Sequence, residues 1–328
     1  MTALARGIGS RLGQAIGLLL AVVVVVFFLI QLAPGDAALY LAGDQGVGDA
    51  EFLAQVRAEY GLDRPLLVQL GTYVGNVAQL DLGDSIYFNE PVLGLIVERL
   101  FATLLLAGTS LLFAVGLGVA IGVYTARRPE GSMSSAATVT SLIGFSTPVF
   151  YSAIMFIVLF AAKWRLLPVG GIEDVRYDGN WVGETIDLLQ HLILPALSLG
   201  IIYLAIYSRL ARASMLEVLE SDYIRTARAK GAREHVVVYK HALRNAVIPV
   251  VTAAGLQVGN LLSGALLVEV VFAWPGIGRL AVDSIFRRDS PTLLGIMIFS
   301  SAMVIVANLL TDLVYRLIDP RIRVGGSR

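Results

Sequence analysis

The chain has 328 residues, of which 56% are hydrophobic and only 15% charged, with a formal net charge of zero and no cysteine. That balance excludes an ordinary soluble surface, a globally basic nucleic-acid binder and an acidic solvating tail. The missing cysteines exclude disulfide frameworks, thiolate metal sites and cysteine nucleophiles, and a membrane protein stands as the first candidate.

Crossing roughly 30 Å of hydrocarbon takes about 20 mostly apolar helical residues. Six charge-free stretches qualify, at roughly 12–33, 101–126, 134–161, 189–208, 246–268 and 292–311. Arg6 and Arg11 precede the first as a signal-peptide n-region would. Its apolar run from Ala15 to Ile30 exceeds the usual h-region of about 7–15 residues and no A-x-A site follows, so a retained span is expected. Segments 1–11, the turn at Arg127 and Arg128, the loop 209–245 and the tail from Arg316 hold 16 of the 25 basic residues. Both termini are therefore placed in the cytoplasm.

The segment 34–100 carries ten acidic residues from Asp36 to Glu98 against Arg57, Arg64 and Arg99, and belongs outside. Within it, DAEFLAQVRAEYGL reads as a helix capped by Asp49 and stopped by Gly61, with Phe52, Leu53, Val56 and Tyr60 near a 3.6 period. A second amphipathic piece follows Pro65 and ends near Asp81. Some 65 residues with few large apolar positions make a thin core, so this is a small outer lid and not an independent domain. In the second span, GLGVAIG from Gly116 to Gly122 lacks dinucleotide-loop spacing and sits in an uncharged run; Gly118 and Gly122 are expected to pack closely on another helix. GFSTP, Gly144 to Pro148, predicts a kinked third span, and Pro195 lies within the fourth.

Catalytic machinery is missing. None of the three lysines, Lys163, Lys230 and Lys240, follows a glycine, so there is no P-loop. His191, His235 and His241 lie in no metal-binding pattern and read as polar groups at membrane borders, and no serine sits in G-x-S-x-G. Ion-coupled transport usually places ionisable groups within spans. Only Glu269 and Asp312 approach that, and both lie at span ends. Gln257, Asn260 and Ser263 recur at intervals of three in the fifth span and share a face, which either lines a polar pathway or bonds a neighbouring helix.

Between the fourth and fifth spans runs SDYIRTARAKGAREH, Ser221 to His235. Ser221 or Asp222 can cap a helix starting at Tyr223 and Gly231 can end it in the left-handed conformation, giving a peg of about eight residues and 12 Å. So short a helix is unstable alone in water. Tyr223, Ile224 and Ala227 form its less polar side, while Arg225, Arg228 and Lys230 keep it soluble, and a partner's groove is the expected support. A helix lying on anionic headgroups would account for the charge but not for the capped, compact shape.

ESDYIRTARAKGA followed by HALRNAVIPVVT resembles the cytoplasmic signature loop of ABC-importer permeases, in particular the dipeptide, oligopeptide and nickel branch. GLDRPLLVQLGTYVGNVAQLDLGDS, PVLGLIVERLFATLLLA and VEVVFAWPGIGRL with RRDSPTLLG extend the resemblance over nearly the whole chain, to the first of the two permeases in such systems. The EAA triplet of the general pattern reads Arg225, Thr226 and Ala227 here, four residues before Gly231, so that pattern is kept only in part.

The resemblance implies an all-α polytopic membrane protein, with six transmembrane helices in the type I ABC importer permease fold, N-in and C-in, in a bacterial inner membrane. The whole chain, 1–328, would be a single permease domain, with 34–100 its extracytoplasmic helical segment and 209–245 its cytoplasmic coupling loop. Asp222, Tyr223, Ile224, Arg225, Thr226, Ala227, Arg228, Ala229, Lys230 and Gly231 would form the coupling helix that docks into the ATPase subunit. Implied partners are a second homologous permease, two cytoplasmic ATPase subunits or domains that bind ATP and magnesium, an extracytoplasmic binding protein, a peptide substrate and the lipid bilayer. No cofactor is expected in this chain, and no nucleic acid. Glu269, Trp274 and Asp289 are candidates for contact with the binding protein at the outer face; orientation of the WPGIG turn is the other reading of Glu269. A stand-alone ion-coupled transporter and a membrane scaffold that only recruits a soluble partner are the competing readings.

Overall fold

The computed structural model describes residues 2–32, 50–59, 63–132, 146–174 and 180–318, with single residues 134, 136, 140 and 144. Helix dominates: α1 (Thr2–Leu32), α2 (Ala50–Glu59), α3 (Leu66–Ala78), α4 (Val92–Arg127), α5 (Val149–Phe156), α6 (Trp181–Leu219), α7 (Asp222–Ala229), α8 (Ile248–Val271), α9 (Ile277–Phe286) and α10 (Ser290–Ile318). Among the described residues the one extended pairing is an isolated bridge between Asp84 and Pro91. Parts of α1, α4, α6 and α10 have the length and apolarity to cross a membrane. At 1.5 Å per residue the 36 residues of α4 span about 54 Å and the 39 of α6 about 58 Å, so both continue well past the hydrocarbon that their sequence windows marked.

The third predicted span is broken, not kinked. Pro148 holds φ −58° and ψ 139°, outside the helical region, and α5 starts only at Val149. Proline disfavours helix at the residue before it and lacks the N–H that would continue the ladder. α5 then runs into a π-helical turn, Ile157–Lys163. In α6, by contrast, Pro195 sits inside a continuous helix, which begins with Asn180 accepting a 3.0 Å hydrogen bond from Gly183 N–H.

The chain forms two compact units, Met1–Phe101 with Gly276–Asp312, and a second centred on Ala102–Pro275. In the first unit Val23 and Val26 of α1 and Leu294 and Ile298 of α10 are buried against Phe52 and Leu53 of α2 and Tyr73, Val74 and Val77 of α3. Gln31 donates to Gln69 at 2.7 Å across the same contact. Helices α2 and α3 thus borrow their core from α1 and α10, as the thin apolar content of this segment requires. Its first helix is where the sequence places it; the proposed Asp49 cap and Gly61 stop lie outside the described residues. A second cluster joins Val92, Leu95 and Ile96 of α4 to Ile277, Leu280 and Ala281 of α9 and Ile296 of α10.

In the second unit α4 and α6 meet through glycines. A Cβ on Gly118 would lie 3.0 Å from Tyr207 Cβ, and one on Gly122 would lie 2.6 Å from Ala211 Cβ and 2.7 Å from the Ser208 carbonyl oxygen. The backbones approach as closely as small-residue packing allows, which is the role read from the GLGVAIG run. Gly200 of α6 is crowded in the same way by Phe113.

Candidate functional site

α7 occupies the predicted peg, from Asp222 to Ala229. Ser221 stands at the N-cap position with extended backbone, φ −68° and ψ 151°, but its hydroxyl donates back to the Val218 carbonyl at 2.6 Å. No side chain caps the first turn, a correction to the capping expected of Ser221 or Asp222. The C-terminal end is as the sequence indicates. Gly231 takes φ +79°, its N–H donates to Arg228 carbonyl at 2.9 Å, and Ala232 N–H donates to Ala227 carbonyl at 3.2 Å. Those two bonds make a Schellman cap, which needs a left-handed residue at its centre.

The support for the peg comes from within the chain. Ile224 is fully buried among Val123 and Ala126 of α4, Met215 of α6, and Val237, Val238, Ala242 and Ala246. Ala227 packs at the margin of the same cluster. The segment Val237–Ala242 is a π-helical turn flanked by Glu234–Val236 and Leu243–Ala246, and it presents those small and β-branched residues to α7. Two polar links tie the outer side of the peg to this base. Arg228 donates from Nη2 and Nε to the Glu234 carboxylate at 2.9 and 3.2 Å, and Asn245 Nδ2 donates to Tyr223 Oη at 2.8 Å. The guanidinium hydrogen bond holds the Glu234 carboxyl below the usual carboxylate range, and the carboxylate in turn raises Arg228. What remains exposed on α7 and its cap is Asp222, Tyr223, Arg225, Thr226, Arg228, Ala229, Lys230 and Gly231, a face of net positive charge with one aromatic ring.

The three outer candidates are all buried: Glu269 and Trp274 have no exposed surface and Asp289 keeps 1%. Their side chains do not present themselves to a soluble protein; they build local architecture instead. Thr103 Oγ1 donates to Glu269 Oε1 at 2.7 Å, joining α4 to α8. α8 ends in a second Schellman cap, with Trp274 N–H on Glu269 carbonyl at 2.8 Å and Ala273, not glycine, at φ +50°. The Trp274 indole N–H donates to Ala102 carbonyl at 2.8 Å, so the tryptophan staples this turn to α4. In the first unit Asp289 accepts from the Ser85 hydroxyl and from Thr292 Oγ1 at 2.7 Å, which closes the N-terminus of α10 over the turn at 84–91. Gln257 is half-buried on α8; Asn260 and Ser263 lie on the same helix, their side chains outside the described residues. Sequence reasoning missed Asp187 and His191, a contact pair at 3.3 Å, although their spacing of four on a helix is a readable signal.

A chain that is helical throughout nearly all its described residues, with four helices long and apolar enough to cross a bilayer, is a polytopic membrane protein. The chain belongs to the binding-protein-dependent transport system inner membrane component family, whose sequence model matches residues 118–324. The companion N-terminal model, binding-protein-dependent transport system membrane component, matches residues 4–107. The chain is 41% identical over 330 residues to the dipeptide transport system permease protein DppB of Escherichia coli K12, covering 95% of this chain and 97% of that one. It is 39% identical over 310 residues to the oligopeptide transport system permease protein AppB of Bacillus subtilis 168, covering 94% and 96%. Among solved structures, a chain of the MetNI methionine ABC transporter in an inward-facing conformation superposes with a TM-score of 0.54 at 18% identity, over 69% of this chain and 96% of that one. The fold is that of a type I ABC importer permease. The chain is a multi-pass subunit of a bacterial inner membrane and not an enzyme: separate subunits hydrolyse ATP, and others bind substrate.

Proposed function

We propose that this chain is the first of two permeases in an ATP-driven importer of di- and oligopeptides, and that α7 is the element through which two cytoplasmic ATPases drive it. One observation carries the reading: an eight-residue helix whose apolar side is sealed into its own chain while its cationic side is left to water. Such a helix is held in one orientation and offered to a partner, which is what force transmission needs. Closure of the ATPases on bound nucleotide moves α7, and α4, α6 and the segment 237–246 that leads into α8 follow through the shared apolar cluster. Converting a population from 1:99 to 99:1 takes about 5.5 kcal/mol of differential binding. The second permease completes the pathway, and an extracytoplasmic protein delivers the peptide. Peptide as cargo is supported by the relatives that carry dipeptide and oligopeptide transport in their names.

The test is uptake of a radiolabelled dipeptide by proteoliposomes holding both permeases and both ATPases, with the delivery protein outside and ATP inside. Ala229 is exposed on α7, so Ala229→Trp enlarges the docking face without touching the core. ATP-dependent uptake by the wild type, lost in Ala229→Trp while the chain still inserts and assembles with its second permease, is the expected result. Full uptake by the variant refutes the docking role. Uptake by this chain alone under an imposed ion gradient refutes the ATP-driven reading.

A further inference from the structure

On the outer side of the second unit, between the π-helical turn and the first turns of α6, lies a cavity of about 590 Å³. That volume is within the range of small-ligand sites. Among the described residues its polar wall holds Glu173, Asp174, Asp187, Gln190 and His191, with Arg165 as the one arginine or lysine that lines it. The α6 side of the wall is tied down by its own contacts. Asp187 Oδ2 accepts from Asp174 N–H at 2.7 Å, and Oδ1 lies 3.3 Å from His191 Nδ1. The same Nδ1 lies 2.9 Å from the Asp187 carbonyl oxygen. Both neighbours of Nδ1 are acceptors, so Nδ1 carries a proton. The His191 side chain keeps 6% of its surface exposed and Asp187 keeps 16%, so this pair is held largely out of water. The loop opposite is pinned too: Gly171 N–H donates to Phe272 carbonyl at 2.8 Å, and a Cβ on Gly170 would fall 2.3 Å from that oxygen.

A preformed cavity rich in anionic acceptors, with one guanidinium among them, is complementary to a zwitterion. We propose that it is an outer binding site for the peptide itself, in which the wall of Asp187, Glu173 and Asp174 takes the N-terminal ammonium and Arg165 takes the C-terminal carboxylate. This rests on the peptide reading above and adds to it a subsite in the permease, so that cargo with a blocked amino terminus is discriminated against after delivery as well as during it.

The probe is trialanine, titrated calorimetrically into the purified assembly of permeases and ATPases without the delivery protein. N-acetyl-trialanine and trialanine amide serve as controls. Charge-assisted hydrogen bonds are the strong ones, and losing one is expected to weaken binding about tenfold. Acetylation and Asp187→Asn should each do so, Glu173→Gln should weaken it severalfold, and Arg165→Ala should weaken trialanine but not its amide. Glu173 is exposed, so Glu173→Gln decides if Asp187→Asn fails to assemble. Equal affinity for the acetylated peptide, or unchanged affinity in both acidic variants, overturns the proposal. Uptake of trialanine by the complete wild-type system, measured in parallel, separates the two levels. Normal uptake with unaffected variants sinks the subsite alone, whereas no uptake sinks the peptide reading and the subsite with it.

Discussion

Replacing Ile224 by alanine removes three side-chain carbons from a position with no exposed surface, enclosed by Met215, Val237, Val238, Ala242 and Ala246. Large-to-small changes of this kind cost about 2–5 kcal/mol, because transfer energy is lost and the site only partly collapses. The backbone of the π-helical turn and the small Ala242 and Ala246 leave few side chains able to swing into the gap, so a value near the middle of that range, about 3 kcal/mol, is expected. That is roughly a 140-fold rise in the undocked fraction of α7, at tenfold for every 1.4 kcal/mol. An undocked eight-residue helix does not persist in water. Amide hydrogen exchange of residues 222–231 in the purified assembly should therefore accelerate by about two orders of magnitude, with peptide uptake per ATP hydrolysed falling in step. Wild-type exchange and wild-type coupling in Ile224→Ala would refute the internal anchoring of the peg.

Gly122→Leu drives a side chain into the Ser208 and Ala211 backbone of α6, so the detergent-solubilised chain should lose several degrees of thermal stability, while Gly116→Leu, which has open space around it, should not. At Gly231 the crowding is absent and the conformation decides: φ +79° costs a β-carbon residue about 1–2 kcal/mol, so Gly231→Val should raise exchange in α7 and Gly231→Asn should largely restore protection. The Arg228–Glu234 pair makes α7 acid-sensitive in a defined direction. The Glu234 carboxyl is held below its ordinary value, so its contribution is complete above the unfolded value and is lost as pH falls through the lowered folded one. The pair is exposed, so the effect is small, about 1 kcal/mol or less, and protection of 222–231 should decline below the normal carboxylate range in the wild type but not in Glu234→Gln.

The spans in α1, α4, α6 and α10 and the peg were legible because their signals are local. Uncharged runs, the distribution of arginine, and a glycine nine residues after the aspartate that begins α7 mark them without reference to the rest of the chain. The glycine contact of α4 with α6 was legible for the same reason, as spacing on one helix face. What the sequence misassigned depends on residues distant along the chain. Ile224 reads as a face for a partner until Val237 and Val238, thirteen and fourteen residues on, are seen to cover it. Those valines lie in a π-helical turn, and a short VVVY run has no periodicity that separates such a turn from ordinary helix. Glu269 reads as a surface carboxylate at a span end until Thr103, 166 residues earlier, is found donating to it. Asp187 and His191, four apart on α6, were readable as a local pair, whereas the loop whose Asp174 N–H donates to Asp187, thirteen residues earlier in the chain, was not.

One unbroken helix, α6, holds Asp187 and His191 in its first turns and stops three residues before α7 begins. Over about 58 Å, a rotation of 5° about one end displaces the other by roughly 5 Å, the rise of a full helical turn. A rod of that kind reports in both directions. Whatever factor a ligand outside imposes on nucleotide-dependent docking inside, docking must impose on that ligand's affinity, since coupling between two equilibria is reciprocal. On the proposed roles of its two ends, outer occupancy and inner grip are two readings of a single lever.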